Sequence, residues 1–243
     1  MAVRAIRAGV LACVVSAVAA HSTDAQTSTA AGRPRFQGGA SFVQAFAVGD
    51  FAERVNLAAG GLFQFDVGLG DSVFSVGGEI GYMGYGHVNR KVDVSSLIPE
   101  IPNATVSVST NNYMVPMHAR LRGQRKYGRW RPYADALVGG NLISTDTSID
   151  CAASDNATCS GNNSATNAED LVLSVGAGGG VMIAFSPRPG VPKLDLSVRY
   201  LRGAEGTYLT KGAIRREGST AIFDLSQSRT DMVALYIGAV FGR

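Results

Sequence analysis

RTDMVALYIGAVFGR, residues 229–243, decides how this chain is read. Taken two at a time, its residues fall onto two faces. One parity carries Val233, Leu235, Ile237, Ala239 and Phe241; the other carries Met232, Ala234, Tyr236, Gly238 and Val240. That is the period of a β-strand with a continuous apolar face and a face made mostly of small residues. A long apolar strand left as an open edge would aggregate, so it needs partners on both sides. It is expected to pair with the first strand and close a barrel.

The same alternation recurs upstream. Tyr113, Val115, Met117, Ala119 and Leu121 alternate with Met114, Pro116, His118, Arg120 and Arg122. Pro116 cannot donate to a ladder, which predicts a local bulge. Further strands are expected over about 35–46, 57–69, 132–144 and 171–183, with two more starting at Val73 and near Leu194. Their apolar faces hold Phe63, Phe65 and Val67, then Phe74, Val76, Ile80 and Tyr82, then Leu171, Leu173 and Val175. Gly49–Glu53 reads as a single helical turn, and Glu217-Gly218 as the tip of a hairpin within the connection 202–227.

Eight strands emerge. From the second onward the connections alternate short and long: Gly70-Asp71-Ser72, then 86–109, then GQRKYGRWR (123–131), then 145–169, then Ser186–Pro192, then 202–227. Transmembrane barrels have this asymmetry, an even strand count, and segments of about ten alternating residues. A soluble barrel would show water a face rich in Lys and Glu. Here the second face is mostly Gly, Ser, Asn and Ala, which suits a narrow interior. The expected fold is therefore all-β: an eight-stranded antiparallel up-and-down transmembrane β-barrel over 35–243, with short periplasmic turns and long external loops. Tyr127, Trp130 and Phe241 fall near the periplasmic ends, and Tyr82, Tyr113 and Tyr200 near the outer ends, as interfacial aromatics would.

Composition agrees with this. The 243 residues are 46% hydrophobic and 17% charged, with 30 Gly. The net charge of +3 is too small and dispersed to argue for nucleic acid. No run of about eighteen apolar residues suggests a membrane helix. Arg4 and Arg7 followed by the apolar run Ala8–Ala20 read as an export signal, residues 1–25, followed by a polar leader over 26–34. Cys13 would be lost with the signal. Cys151 and Cys159 are then an even pair in an exported chain and are expected to form a disulfide.

These segments resemble the small bacterial outer-membrane β-barrels of the OmpA-transmembrane-domain and OmpX kind. The resemblance covers about residues 35–241. It is carried by AFAVGDFAERVN (45–56), GGEIGYMGYG (77–86), RPYADALVGG (131–140) and LYIGAVF (235–241). It implies the bacterial outer membrane as location, outer-membrane lipid as surroundings, and recognition of the C-terminal strand by the barrel-insertion machinery. Family members often end in an aromatic residue, whereas Gly242 and Arg243 follow Phe241 here.

The second face carries Asp66, Glu79, His118, Arg120, Arg122, Asp135, Asp195 and Arg199. Lone charges inside a narrow barrel are costly, so they should pair. The expectation is a salt-bridge plug around Arg120, between the strands bearing Glu79 and Asp135, with His118 alongside. The function expected is non-enzymatic, either structural or in surface interaction, with a gated low-conductance channel for small solutes as the alternative. A lipid A-modifying enzyme would need a nucleophile beside a base. His87 and His118, the only histidines after the signal, have no such setting in the sequence. No catalytic residue, cofactor or metal site is expected. The loops 86–109 and 145–169 are candidates for an external glycan or protein ligand. The basic connection with Arg125, Lys126, Arg129 and Arg131 reads as a solvated turn with interfacial anchors, or as a contact for lipid phosphates or cell-wall polymers.

Overall fold

The computed structural model describes residues 35–93, 105–152, 163–186, 188, 190–217 and 220–242. The expected signal 1–25, the leader 26–34 and Cys159 of the expected disulfide lie outside the described residues.

Among the described residues the strands are β1 (Phe36–Ala47), β2 (Leu57–Gly68), β3 (Phe74–Asp93), β4 (Thr105–Gln124), β5 (Trp130–Ala152), β6 (Asn163–Ala184), β7 (Lys193–Gly203), β8 (Glu205–Glu217), β9 (Thr220–Arg229) and β10 (Met232–Gly242). Eight of them form a closed ring in the order β1-β10-β7-β6-β5-β4-β3-β2, and β8 and β9 form a separate two-stranded sheet. All pairings in the ring are antiparallel. The last strand meets the first from Gln37↔Gly242 to Ala47↔Met232 without a register break. Both edges of the sheet are thereby consumed.

The two faces of β10 are sorted as their residues demand. Leu235, Ile237 and Phe241 point out, and Met232, Ala234, Tyr236 and Val240 are buried inside. Around the ring the outward set is large and apolar: Phe63, Val138 and Leu173 are 68%, 60% and 73% exposed. The inverted sorting is the signature of a barrel whose outside is not meant for water.

Pro116 has no bulge of its own. Its register with β5 is continuous through Pro116↔Asn141. On the β3 side the ladder resumes in the same register after a gap between Ile80↔Met117 and Met83↔Met114. The irregularity comes further on, at Gly84/Gly86. Gly81 lies beside the proline ring, where a Cβ would sit 3.2 Å from the ring's Cγ. A missing side chain on β3, rather than an extra residue on β4, makes room for Pro116.

The strands flanking 86–109 continue into it, as the alternation over 105–110 implies, and much of 145–169, read as a loop, is strand as well. β3 and β4 run 20 residues each, β5 runs 23 and β6 runs 22, against 11 or 12 for β1, β2, β7 and β10. Beyond the apolar belt the hydrophobic alternation of the sequence fades: residues 144–148 are polar on both parities. Thr105, Thr110, Thr145, Thr147 and Ile149 still favour extended backbone by their β-branching.

Two short pieces close the outer mouth. Gly49–Glu53 is a 3₁₀ turn that buries Phe51. The β8–β9 hairpin, expected around Glu217-Gly218, closes with the pair Glu217↔Thr220. Its base buries Tyr208 and Leu209.

Candidate functional site: the barrel lumen

Inside the turn-side half of the ring the inward positions of β2, β3, β4, β5 and β7 deliver all eight charged or titratable side chains expected there. Asp66, Glu79, His118, Arg120, Arg122, Asp135, Asp195 and Arg199 are each at most 5% exposed. Four carboxylates thus face three guanidiniums and one imidazole.

Each arginine is held by more than one group. Arg120 donates from Nε to Asp66 Oδ1 at 3.1 Å and from Nη2 to Asp66 Oδ2 at 2.6 Å, a bidentate fork. Its Nη1 donates to Gln64 Oε1 at 2.6 Å and to Glu79 Oε2 at 3.2 Å. Arg122 forks onto Asp135, Nε to Oδ1 at 2.7 Å and Nη2 to Oδ2 at 2.8 Å. Arg199 donates from Nη1 to Glu79 Oε2 at 2.6 Å, and its Nη2 lies 3.3 Å from Asp135 Oδ2. Among the described residues Asp195 takes no arginine. It accepts from Gln64 Nε2 at 3.1 Å and from the Tyr133 hydroxyl. Two guanidiniums also lie over aromatic rings, Arg122 over Tyr133 at 3.7 Å and Arg199 over Tyr236 at 4.3 Å.

The pairing differs in one respect from a plug centred on Arg120. Asp135 belongs to Arg122 and Arg199, not to Arg120. Register explains it: Arg122 stands directly opposite Asp135, whereas Arg120 stands opposite Leu137. His118 stands opposite Glu79, with Nδ1 3.5 Å from Oε1, an electrostatic contact rather than a hydrogen bond.

The glycine-rich inner face of β6 now has a purpose. A Cβ on Gly178 would lie 2.4 Å from the Val198 carbonyl oxygen and 2.5 Å from Arg199 Cγ, and one on Gly180 would lie 2.4 Å from the Leu196 carbonyl oxygen and 2.6 Å from the Tyr133 hydroxyl. The wall is bare where the network needs volume. Gln64, Tyr133 and Tyr236 were not singled out in the sequence as part of this network. The signal was present for two of them: Gln64 shares the parity of Asp66 and Tyr133 that of Asp135, while Tyr236 sits on the small-residue face of β10.

Toward the outer mouth the interior turns apolar. Val43, Leu62, Met83, Met114, Ile143, Val172, Leu201 and Met232 are all buried there. Phe51 of the 3₁₀ turn meets Tyr208 of the hairpin edge-on, ring centroids 5.3 Å apart. Arg54 Nη1 donates to Ser226 Oγ at 2.9 Å, and Thr207 N donates to Asp170 Oδ2 at 2.8 Å, tying the hairpin to the rim. The lumen therefore carries two stoppers, ionic below and apolar above. Between them, the His118 ring nitrogens, the Asn141 amide and the Ser174 hydroxyl are buried without a hydrogen-bond partner among the described residues.

The expected aromatics lie on the outer surface. Tyr82, Tyr200, Trp130 and Phe241 are 54%, 45%, 58% and 51% exposed. Tyr113 stacks on Tyr82 at 5.1 Å and donates to Asp146 Oδ2 at 2.9 Å, and Tyr200 donates to Asp231 Oδ2 at 3.1 Å. Each outer tyrosine hydroxyl bonded to an acid marks a level where water begins. His87 is at the surface with Nδ1 2.6 Å from Asn111 Oδ1. That is an amide partner, not the carboxylate that orients a catalytic imidazole.

Among the described residues no group of three His, Cys, Asp or Glu is placed to hold a metal ion. No protein-family model matches the chain. No curated protein matches it either. Solved structures similar to it include neisserial surface protein A (13% identity, TM-score 0.38, covering 84% of this chain and 94% of that one). The attachment invasion locus protein Ail of Yersinia pestis (13%, 0.37, covering 86% and 97%) and the outer-membrane protease OmpT of Escherichia coli (8%, 0.36, covering 90% and 99%) are also similar. At such identities and scores none of them says what this chain does. The ring speaks for itself: a closed eight-stranded antiparallel up-and-down barrel is the architecture of the small outer-membrane β-barrels of the OmpA and OmpX kind.

Proposed function

We propose that this chain is an exported, non-enzymatic barrel of the bacterial outer membrane, sealed against solutes, with a structural or surface-interaction role. One observation carries the reading. Arg199 on β7 and Glu79 on β3, on opposite sides of the eight-membered ring, join at 2.6 Å through the lumen centre. A barrel bridged across its diameter by enclosed charges has no free path for a solute.

The membrane part of the proposal rests on the outer belt. Tyr200 pairs with Val233 at one end of β10, and Phe241 lies at the other. That separation is about 26 Å along the strand and about 20 Å along the axis at the usual tilt, close to the apolar height of such barrels. Exposed Phe, Leu, Val and Ile in this belt would be an aggregation hazard in water. They suit outer-membrane lipid, and β10 suits recognition by the insertion machinery. The rims built from β3 to β6 offer the surface for an external glycan or protein ligand.

Single-channel recording in a planar bilayer tests the function, using protein shown to be folded by its heat-dependent gel shift. A silent bilayer is expected. Discrete steps that change in Arg120→Ala would favour a gated small-solute channel instead. His118, Asn141 and Ser174, with buried side-chain atoms that lack a hydrogen-bond partner among the described residues, are the observation on the side of that second reading. A lipid A-modifying activity has no comparable support, given the amide partner of His87.

A further inference from the structure

The turn-side end of the lumen opens into a cavity of about 310 Å³, within the size of small-molecule clefts. Its wall carries Arg35, Lys126, Arg131, Arg188 and Lys193, against a single acid, Asp66. These cations come from the start of the barrel, the β4–β5 turn, β5, the β6–β7 turn and β7. Asp66 is already committed to Arg120 by two hydrogen bonds. Asp71, the acid of the β2–β3 turn, gives Lys126 only its backbone carbonyl.

The remaining cations are likewise held by neutral groups or by none. Lys193 is 7% exposed, and its Nζ donates to the Gly242 carbonyl at 2.9 Å. Arg131 donates from Nε to the Gly128 carbonyl at 3.0 Å and lies close enough to Lys193 for the two charges to repel. No carboxylate pairs with Arg35, Lys126, Arg131, Arg188 or Lys193 among the described residues. Gln37 and Gln124 add neutral polar groups to the wall. Like charges gathered without counter-charge repel one another, and Lys193 is buried besides. An arrangement that gathers them from five separate segments is explained by an anion that enters. A single carboxylate would neutralise too little, whereas the guanidinium fork and the lysine ammonium both suit phosphate oxygens.

We infer that this basic vestibule is a binding site for a phosphate-bearing anion, entering from the turn end of the barrel. The site lies inside the rim, below the ionic stopper, so it is distinct from the lipid-facing belt. It goes beyond the sealed-barrel reading and is tested without reference to conductance.

The test titrates inorganic diphosphate into folded protein in a zwitterionic detergent at low ionic strength, read by calorimetry. Saturable binding of one diphosphate per chain is expected, weakened about tenfold or more in Lys126→Gln/Arg131→Gln. Arg35→Gln/Arg188→Gln, which touches no hydrogen bond of the network, guards against a folding defect and should weaken binding as well. Arg125→Gln/Arg129→Gln, on the same turn but outside the cavity, should leave it unchanged. Repeating the titration in phosphatidylcholine nanodiscs with and without phosphatidylglycerol separates the sources. Competition by phosphatidylglycerol makes the ligand a lipid headgroup, and its absence makes it a free phosphate compound. No saturable binding would overturn the inference. So would an equal loss in the Arg125/Arg129 variant, which would reduce the effect to general surface charge.

Discussion

Arg199 and Glu79 are 120 positions apart in the chain and meet at 2.6 Å across the barrel's full width. The same Glu79 Oε2 also accepts from Arg120 at 3.2 Å. One carboxylate oxygen therefore ties β3, β4 and β7 together through the interior, in a place no water reaches freely.

Removing one end of that link should be worse than removing both. Arg199→Met strands part of the charge on Glu79 and Asp135, and a cost of about 3–5 kcal/mol is expected for an orphaned buried charge. Arg199→Met/Glu79→Gln should recover a substantial share of the loss. Urea unfolding in lipid vesicles, followed by tryptophan fluorescence of Trp130, reads the difference. Equal stability of the single and double variants would show that the link is not coupled.

The bare wall of β6 makes a second prediction. Gly178→Ala places a methyl group 2.5 Å from Arg199 Cγ and should destabilise by about 1–3 kcal/mol through overpacking. Gly61→Ala, on an outward position with nothing within 4 Å, should stay within about 0.5 kcal/mol of the parent. The same unfolding assay compares them.

A charge on the belt should matter only where lipid is. Val138→Arg lies in the middle of the outer surface and is expected to cost about 2–4 kcal/mol in a bilayer. Leu225→Arg, 58% exposed on the hairpin outside the ring, should have little effect. Similar losses at the two sites would argue against a bilayer around the barrel.

The two stoppers should act independently. Phe51→Ala and Tyr208→Ala each leave a cavity at the outer mouth, and a double-mutant cycle should return a coupling of about 0.5–1.5 kcal/mol for the edge-on pair. Both variants should remain electrically silent in a planar bilayer, because the Arg199–Glu79 link below them is untouched. Steps appearing in Tyr208→Ala alone would mean that the apolar cap is the true seal.

What the sequence made legible was local. The period of two on 232–241 and 113–122 shows which side chains share a face, because alternation depends only on neighbours. It therefore placed all eight interior charges on the inner side. It could not say which acid each arginine takes, since Arg122 facing Asp135 is a matter of register and Arg199 reaching Glu79 is a matter of ring closure. The apolar stopper was hidden for the same reason. Leu62, Met83, Met114, Ile143 and Val172 come from five different strands, and only the closed ring gathers them. The outer halves of β5 and β6 were missed because residues 144–148 and 163–170 show no apolar alternation.

The β1–β10 seam also dictates an order in time. The other seven pairings of the ring join strands that follow one another along the chain, or, for β7 and β10, strands separated only by the β8–β9 hairpin. The seam alone requires Gln37 to find Gly242. Until β10 is available, β1 and its eventual partner both present unpaired backbone, so the ring cannot be finished before that strand has been made. Closure is the step with the largest loop to shut and so the slow one. Whatever carries this chain to its membrane has to keep two sticky margins apart until both have arrived.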